Sequence, residues 1–396
     1  MKIGLVCPAS LPATQFGGIM FLCLDIAKEI SKNGHEVEIF TTDMDFANNP
    51  KTFNKELPRK EKIQNFFINR SHVLFSINLF FVNPSMYFQM KQKDFDLIHT
   101  IGIRSFQSFI AALIARKKKI PLVISDQGGL TTHPDLKSNF KKQILVKLQQ
   151  PMIKFIINTS TKIVVPNDYE RKIFEEFCDA SKIVTIRNGI NLDILNYKNF
   201  NFKEKYKIEN NFILFLGRFT KIKGIDILLN AINLIQNKPE FKNTILVIMG
   251  VNFGFEETMR HMIMDLKIKN KILIINNPSR EDVVQAYKES KFLVLPSRWE
   301  LSPLTHLEAF AFKKAVISTD IHGIPYTMKH NEHGLLIKLD EKLLGDAIIQ
   351  LLNNEQKCQD FGNAGFNLVM NTCNSTKMGD NILKLYKQLV NDNKFL

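Results

Sequence analysis

The chain of 396 residues is 45% hydrophobic and 23% charged, so it can bury a sizeable core, and its length implies two domains rather than one. Its formal net charge of +14 attracts nucleic acid, anionic lipid or phosphorylated small molecules without choosing among them. Five cysteines, odd in number and without a C-x-x-C pair, exclude a disulfide framework and a thiolate zinc site and fit a reducing, cytoplasmic compartment.

Residues 2–7 read as an apolar strand that Pro8 ends, a run too short for a signal peptide. Gly17-Gly18 opens a helix in which Leu22, Ile26 and Ile30 recur every four residues. Gly34-His35 closes it, and Val37 to Thr41 is a second strand, completing a βαβ unit. An aromatic-rich stretch follows, in which Phe66, Phe67, Phe75, Phe80, Phe81, Tyr87 and Phe88 supply core, greasy surface or a lid. Its apolar run from Val73 to Val82 is broken by Ser76 and Asn78, and no segment reaches the ~18 apolar residues of a membrane-spanning helix.

Strands at 97–100 and 122–125 enclose a helix through 106–115 that ends in Arg116-Lys117-Lys118-Lys119, where cations complement the helix dipole. Residues 140–157 form a helix with Phe140, Ile144, Leu148 and Met152 on one face and lysines to the side. It reads as an interfacial helix or as a core-packed helix with solvated lysines, bent or divided by Pro151. A strand at 162–166, a helix from Tyr169 and a strand at 183–186 complete a first domain over 1–192, and polar, aperiodic residues 193–211 make the best linker.

A second domain over 212–375 restarts the order with a strand at 212–216, a helix at 224–235, a strand at 244–249 and a helix at 254–267. Strands at 271–275 and 292–295, a helix at 303–313 and a strand at 315–318 follow. Residues 376–396 carry Ile382, Leu385 and Leu389 at helical spacing, a helix that packs back on the N-terminal domain or caps the other. The alternation predicts an α/β fold of two doubly wound, Rossmann-like domains facing each other across a cleft, with ligands outside the carboxyl ends of parallel strands.

Two blocks carry chemistry. In 292–312, Glu300 ends a buried-type strand, and Glu308 lies in an apolar helix with Leu304, Leu307, Ala311 and Phe312 as its same-face neighbours. Carboxylates are rarely buried unless paired, so Glu308 needs donors: the vicinal hydroxyls of a ribose, or a structural arginine or backbone. Glu300 is placed to accept from the hydroxyls of a second polyol. Ser302 reads as the helix cap and Pro303 as its first residue, leaving the free amides of this helix start, Leu304 among them, as an anion site. In 212–224, Gly217 permits close ligand approach, Arg218 can fork onto phosphate and Lys223 adds a point charge. Together they can hold a diphosphate and offset its growing charge, although glycine and lysine after a strand also make an ordinary surface turn. Gly17-Gly18 opens its helix beside the cleft or is a tight turn without a ligand.

In this order the motifs resemble the family 4 retaining glycosyltransferases with the GT-B fold. Gly17-Gly18, Asp96-Leu97-Ile98-His99, Asn188-Gly189-Ile190 with Asp193, Gly217-Arg218 with Lys223-Gly224, and an E-x7-E pair made by Glu300 and Glu308 span nearly the whole chain. The resemblance implies that Arg218 and Lys223 bind the donor diphosphate, Glu308 the ribose and Glu300 the transferred sugar. It implies that Gly17-Gly18 let the backbone approach the donor phosphate and the acceptor. A nucleotide-diphosphate sugar is then the donor substrate, with no cofactor and no essential metal, and the anomeric configuration is kept by a front-face displacement. The acceptor expected from the resemblance is a glycan or lipid-linked glycan hydroxyl, in cell-surface polysaccharide or glycolipid synthesis.

The chain also departs from that pattern. Leu301-Ser302-Pro303-Leu304 replaces a glycine-rich stretch, Lys313-Lys314 stands where many members have a glycine, and Tyr326 replaces a common glutamate after His322-Gly323-Ile324-Pro325. Ser125-Asp126-Gln127-Gly128-Gly129 stands where some members have a histidine. His99 is then an acceptor contact or a satisfied loop histidine, and Asp126 a candidate for deprotonating or orienting an acceptor hydroxyl within ~3 Å. Competing readings are an epimerase, a glycan phosphorylase, and a basic nucleic-acid-binding protein, but no specific nucleic-acid motif accompanies the charge. An anionic membrane surface is a further partner if the aromatic stretch and the 140–157 helix are both exposed.

Overall fold

The computed structural model describes residues 1–45, 52–77, 79–128, 130 and 140–393. By contact the chain divides into unit 1, running to Gly189 and resuming at Ser375, and unit 2, Ile190–Asn374.

Unit 1 begins with β1 (Lys2–Val6), α1 (Gly18–Lys32), β2 (Glu36–Thr42), β3 (Lys60–Ile63) and β4 (Phe66–Ser71). Next come β5 (Phe75–Ile77), β6 (Phe80–Val82), α2 (Ser85–Lys91), β7 (Leu97–Ile101) and α3 (Phe106–Lys118). Then follow β8 (Leu122–Ser125), α4 (Phe140–Thr159), β9 (Lys162–Val165), α5 (Asp168–Glu175) and β10 (Ile183–Thr185). Eight strands form one sheet in the order β10-β9-β8-β7-β1-β2-β4-β3, parallel except where β3 meets β4. Its central strands are short Val-, Ile- and Leu-rich runs buried along their length, as expected of strands covered on both faces. The β5–β6 hairpin stands apart as a two-stranded sheet.

Unit 2 contains α6 (Phe202–Lys205), β11 (Asn211–Leu216), α7 (Ile225–Ile235), β12 (Thr244–Gly250), α8 (Glu256–Asp265) and β13 (Ile272–Asn276). It continues through α9 (Arg280–Glu289), β14 (Leu293–Leu295), α10 (Leu304–Ala311), β15 (Val316–Thr319) and α11 (Ile324–Thr327). It ends with β16 (Gly334–Ile337), α12 (Glu341–Leu352) and α13 (Glu355–Asn371). The six strands, ordered β13-β12-β11-β14-β15-β16, are parallel throughout. Core side chains lie on both faces of this sheet, Phe215, Leu246 and Ile317 in one cluster and Leu214, Val247 and Val316 in the other.

Residues 193–211, read as a linker, are instead built into unit 2. Ile194, Phe202 and Ile208 are buried in its core, and the Phe202 and Lys203 amides donate to the Glu289 carboxylate at 2.6 and 3.2 Å. The few apolar anchors are spaced too irregularly to announce themselves in a polar segment. The reading of α4 also changes. Its buried face is Ile153, Ile156 and Ile157, whereas Ile144 and Leu148 are exposed, so the two halves either side of Pro151 have different environments within one helix. The side chain of Phe140, and Asn78 and Gly129 altogether, lie outside the described residues.

The final helix, α14 (Ser375–Asn393), belongs to unit 1, where it packs along α1. Met378, Ile382, Leu385, Tyr386 and Leu389 join the cluster that holds Leu22, Ile26 and Ile30. The buried Glu29 carboxylate accepts from the Ser375 hydroxyl at 3.1 Å and fixes the start of the helix. Further along, the Tyr386 hydroxyl lies 2.6 Å from His99 Nδ1. Tyr386→Phe removes that partner and leaves a buried ring nitrogen unsatisfied, which costs about 1–3 kcal/mol. The loss should appear as a lower urea midpoint and as faster hydrogen exchange in α14.

Candidate active site

The strand order of the unit 2 sheet reverses between β11 and β14, and open parallel sheets bind ligands outside the carboxyl ends of strands at such a point. The loop after β11 runs from Gly217 to Gly224, and the loop after β14 from Pro296 to Pro303. Gly224 has φ of 72°, and a Cβ there would run into the Pro296 carbonyl oxygen, so only glycine lets the two loops touch. Arg298 secures the contact. Its amide donates to the Ile222 carbonyl at 2.7 Å, and its guanidinium forks onto Asp226 of α7 at 2.6 and 2.8 Å. The sequence reading passed over Arg298 and Asp226. Gly217, by contrast, meets no steric demand from the protein: the nearest atom to an added Cβ is 3.6 Å away.

Within this frame the Lys223 ammonium is paired with Glu300 Oε1, which also accepts from the Ser297 hydroxyl at 3.0 Å. Burial pushes the Glu300 carboxyl up, but the Lys223 charge and hydrogen bond outweigh it and hold the group below the usual carboxylate range. Glu300 is therefore an ionised acceptor at neutral pH. His306 of α10 is fully buried within the field of this pair, and burial pushes its imidazole down to about 4. Neither of its ring nitrogens has a hydrogen-bond partner among the described residues. Arg218 projects as an exposed side chain over the Phe253 ring, 5.1 Å from its centroid.

One turn into α10, Glu308 Oε1 accepts from Arg280 at 2.6 Å and Oε2 from the Tyr287 hydroxyl at 3.1 Å. The donors that the buried-carboxylate argument required are thus present in the protein itself. A carboxylate has about four lone-pair sites, so two donors leave it able to accept more. Arg280 is the first residue of α9, within the Ser279–Asp282 capping box, a signal the sequence displayed and the reading missed. The helix start also shifts by one residue. Pro303, not Ser302, occupies the cap, and α10 begins at the half-buried Leu304 with no side-chain cap on its first amides.

The unit 1 candidates divide. Gly17 has φ of 98° and open space where a Cβ would project, and exposed Gly18 is the first residue of α1, so this turn presents bare backbone. His99, a candidate acceptor contact, is sealed in the core, with Nδ1 on Tyr386 and Nε2 2.9 Å from the Ser125 hydroxyl. Burial pushes its imidazole down to about 3. Asp126, a candidate base, is also buried, and its two oxygens accept from the amides of Ile103 at 3.1 Å and Leu130 at 2.7 Å. Both residues shape the fold rather than face a substrate. Nearby, Glu170 accepts from the Gly128 amide at 2.9 Å, and burial together with the Asp126 charge pushes its carboxyl well up. Asn188 and Gln127 pair their amides in both directions, at 3.1 and 2.8 Å.

Two parallel, doubly wound units with such a switch-point site define the GT-B plan. The profile described as "Glycosyltransferase Family 4" matches residues 16–194, and that described as "Glycosyl transferases group 1" matches residues 197–368. The chain belongs to the family 4 glycosyltransferases of GT-B fold. It is 24% identical to the UDP-Gal:alpha-D-GlcNAc-diphosphoundecaprenol alpha-1,3-galactosyltransferase of Escherichia coli, over 77% of this chain and 79% of that one. Among solved structures it is similar to sucrose-phosphate synthase of Thermosynechococcus elongatus, with a TM-score of 0.77 at 17% identity, covering 98% of this chain and 99% of that one. HepE of Anabaena, crystallised with UDP and glucose, gives 0.74 at 16% identity, covering 98% and 100%.

Removing one partner of a buried ion pair strands the other, so Lys223→Met should lower unfolding free energy by about 3–5 kcal/mol. Lys223→Met combined with Glu300→Gln should recover most of that loss in the same denaturation experiment. The buried imidazoles set a pH dependence. Their folded pKa values of about 3 and about 4 lie below the ordinary 6.5, so on acidification the unfolded chain binds protons first. Their contribution is complete above pH 6.5 and is lost as pH falls toward 4 and then 3. Urea midpoints measured from pH 7.5 downward should fall in that window, and His306→Gln should flatten the slope.

Proposed function

We propose that this glycosyltransferase moves a sugar from a nucleoside-diphosphate donor to a hydroxyl of a glycan or lipid-linked glycan, with retention of anomeric configuration. The observation that carries the reading is the gathering, at one switch point, of Arg218, the Lys223–Glu300 pair and the uncapped start of α10. In this reading the Arg218 fork and the Lys223 ammonium grip the diphosphate, and the amides of Leu304 and its neighbour add partial positive charge. These groups are held in place before the glycosyl bond breaks, so they stabilise the charge of the leaving group without reorganising. Their charge serves in place of a divalent metal.

Glu300, ionised and fixed by Lys223 and Ser297, accepts from the hydroxyls of the sugar being moved. Glu308 offers its remaining acceptor capacity to the ribose hydroxyls, with Arg280 and Tyr287 keeping it ionised and oriented. In unit 1, Gly17, with open space at its Cβ position, and exposed Gly18 offer bare backbone that a ligand can approach. A uridine base is favoured by the UDP bound to HepE and by the UDP-Gal donor named for the Escherichia coli relative, whose acceptor is a diphosphoundecaprenol-linked sugar. A lipid-linked acceptor brings the enzyme to an anionic membrane surface, and no helix among the described residues is long and apolar enough to cross one.

Thermal unfolding with uridine, guanosine and adenosine diphosphate sugars should show the largest upward shift for a uridine compound. Arg218→Ala should lower kcat by about 10²–10³. Glu308→Ala should raise the donor KM while the fold is preserved, and chelation with EDTA should leave the rate unchanged. Wild-type donor use by Glu308→Ala would remove the ribose role, and loss of activity in EDTA would remove the account of the cations.

A further inference from the structure

From Val73 to Met90 the chain carries no Asp, Glu, Lys, Arg or His. Both strands of the β5–β6 hairpin and all but the last residue of α2 lie in this stretch. Strand alternation divides the hairpin into two faces. Phe81 turns inward onto Phe16 and Phe53, with ring centroids 6.5 and 5.4 Å away, and its carbonyl accepts from Gln107 of α3 at 2.8 Å. Phe75 and Ile77 turn the other way. Together with Leu74, Leu79 and Phe88 they are between 49% and 67% exposed, an unusual concentration of large apolar side chains in one short segment of a water-facing unit.

Cations flank this segment, outside it. Exposed Lys91 ends α2, and Lys117 of α3 sits 6.0 Å over the Tyr87 ring, which packs edge-on against Phe88 at 5.5 Å. The hairpin meets the start of the same helix, through Phe80 against Phe106 at 6.2 Å. Hairpin tip and lysine thus lie along one rigid element, separated by about 16 Å of helix. Apolar side chains without charge at the tip, a tyrosine behind them and lysines further back match the layering of a bilayer with anionic headgroups.

We infer that the β5–β6 hairpin, with Phe88, inserts into the surface of an anionic bilayer while Lys91 and Lys117 meet its headgroups. The inference deepens the lipid-linked acceptor reading, on which it rests for its purpose, and assigns the contact to the hairpin rather than to α4. The full chain should pellet with vesicles of phosphatidylglycerol and phosphatidylcholine and far less with phosphatidylcholine alone. Phe75→Ser, Ile77→Ser and Leu79→Ser together should weaken that partition about tenfold, since membrane affinity follows buried apolar area. Lys91→Ala with Lys117→Ala should weaken it only on anionic vesicles, and Ile144→Ser with Leu148→Ser on α4 should leave it unchanged. Leu79→Trp should add emission that shifts to the blue and is quenched by brominated acyl chains.

Wild-type pelleting by the hairpin triple variant overturns the inference, as does unchanged emission from Leu79→Trp. A wild-type dimer in sedimentation velocity that the triple substitution converts to monomer, with vesicle partition unaltered, assigns the face to a second copy and also overturns it. The thermal shift with a uridine diphosphate sugar separates the two proposals. If it is present while the vesicle arm fails, the hairpin assignment alone falls; if it is absent while the vesicle arm succeeds, the donor reading alone falls.

Discussion

Placing a lysine ammonium against a carboxylate inside a protein strips hydration from both ions, and the arrangement holds only where other groups complete their hydrogen bonds. In unit 2 that condition is met for Lys223 and Glu300 by convergence of two loops. Ser297 supplies a second donor, Gly224 removes the side chain that would keep the loops apart, and the Arg298–Asp226 fork fastens one loop to the helix following the other. The parallel sheet sets the separation, because β11 and β14 are hydrogen-bonded neighbours. Much of the local sequence keeps this one contact in register, so that a cation and an ionised carboxylate stand side by side.

Unit 1 treats its polar groups differently. It has its own reversal of strand order at β1, yet His99, Asp126 and Glu170 all lie inside it. Asp126 draws together the loops after β7 and β8, Glu170 steadies Gly128, and His99 links β7 and β8 to the last helix.

The two-unit plan was legible because the strands are short buried apolar runs and the helices between them carry regular apolar spacing. The E-x7-E pair was legible because a carboxylate in an apolar helix demands explanation. What failed shares a physical reason. His99, Asp126 and the 193–211 segment were judged by their own neighbours in the chain, and their environments are set by residues far away: Tyr386 for His99, Glu289 for Phe202. Arg280 and Arg298 were missed on the same account, since their carboxylate partners, Glu308 and Asp226, lie far away in the chain. The hairpin lies between these cases. Its aromatics were visible, but whether they faced core or water depended on which side of a two-stranded ribbon met Phe16 and Phe53.

Unit 1 is discontinuous in the chain, because α14 is made only after all of unit 2. On the ribosome, unit 2 has its whole sequence available while unit 1 still lacks the helix that covers α1 and reaches His99. The first half of the chain must therefore wait, with Leu22, Ile26 and Ile30 uncovered, until synthesis passes Leu389. The stretch translated first is completed last, and a nascent chain halted after unit 2 would expose a greasy stripe on α1 for chaperones to hold.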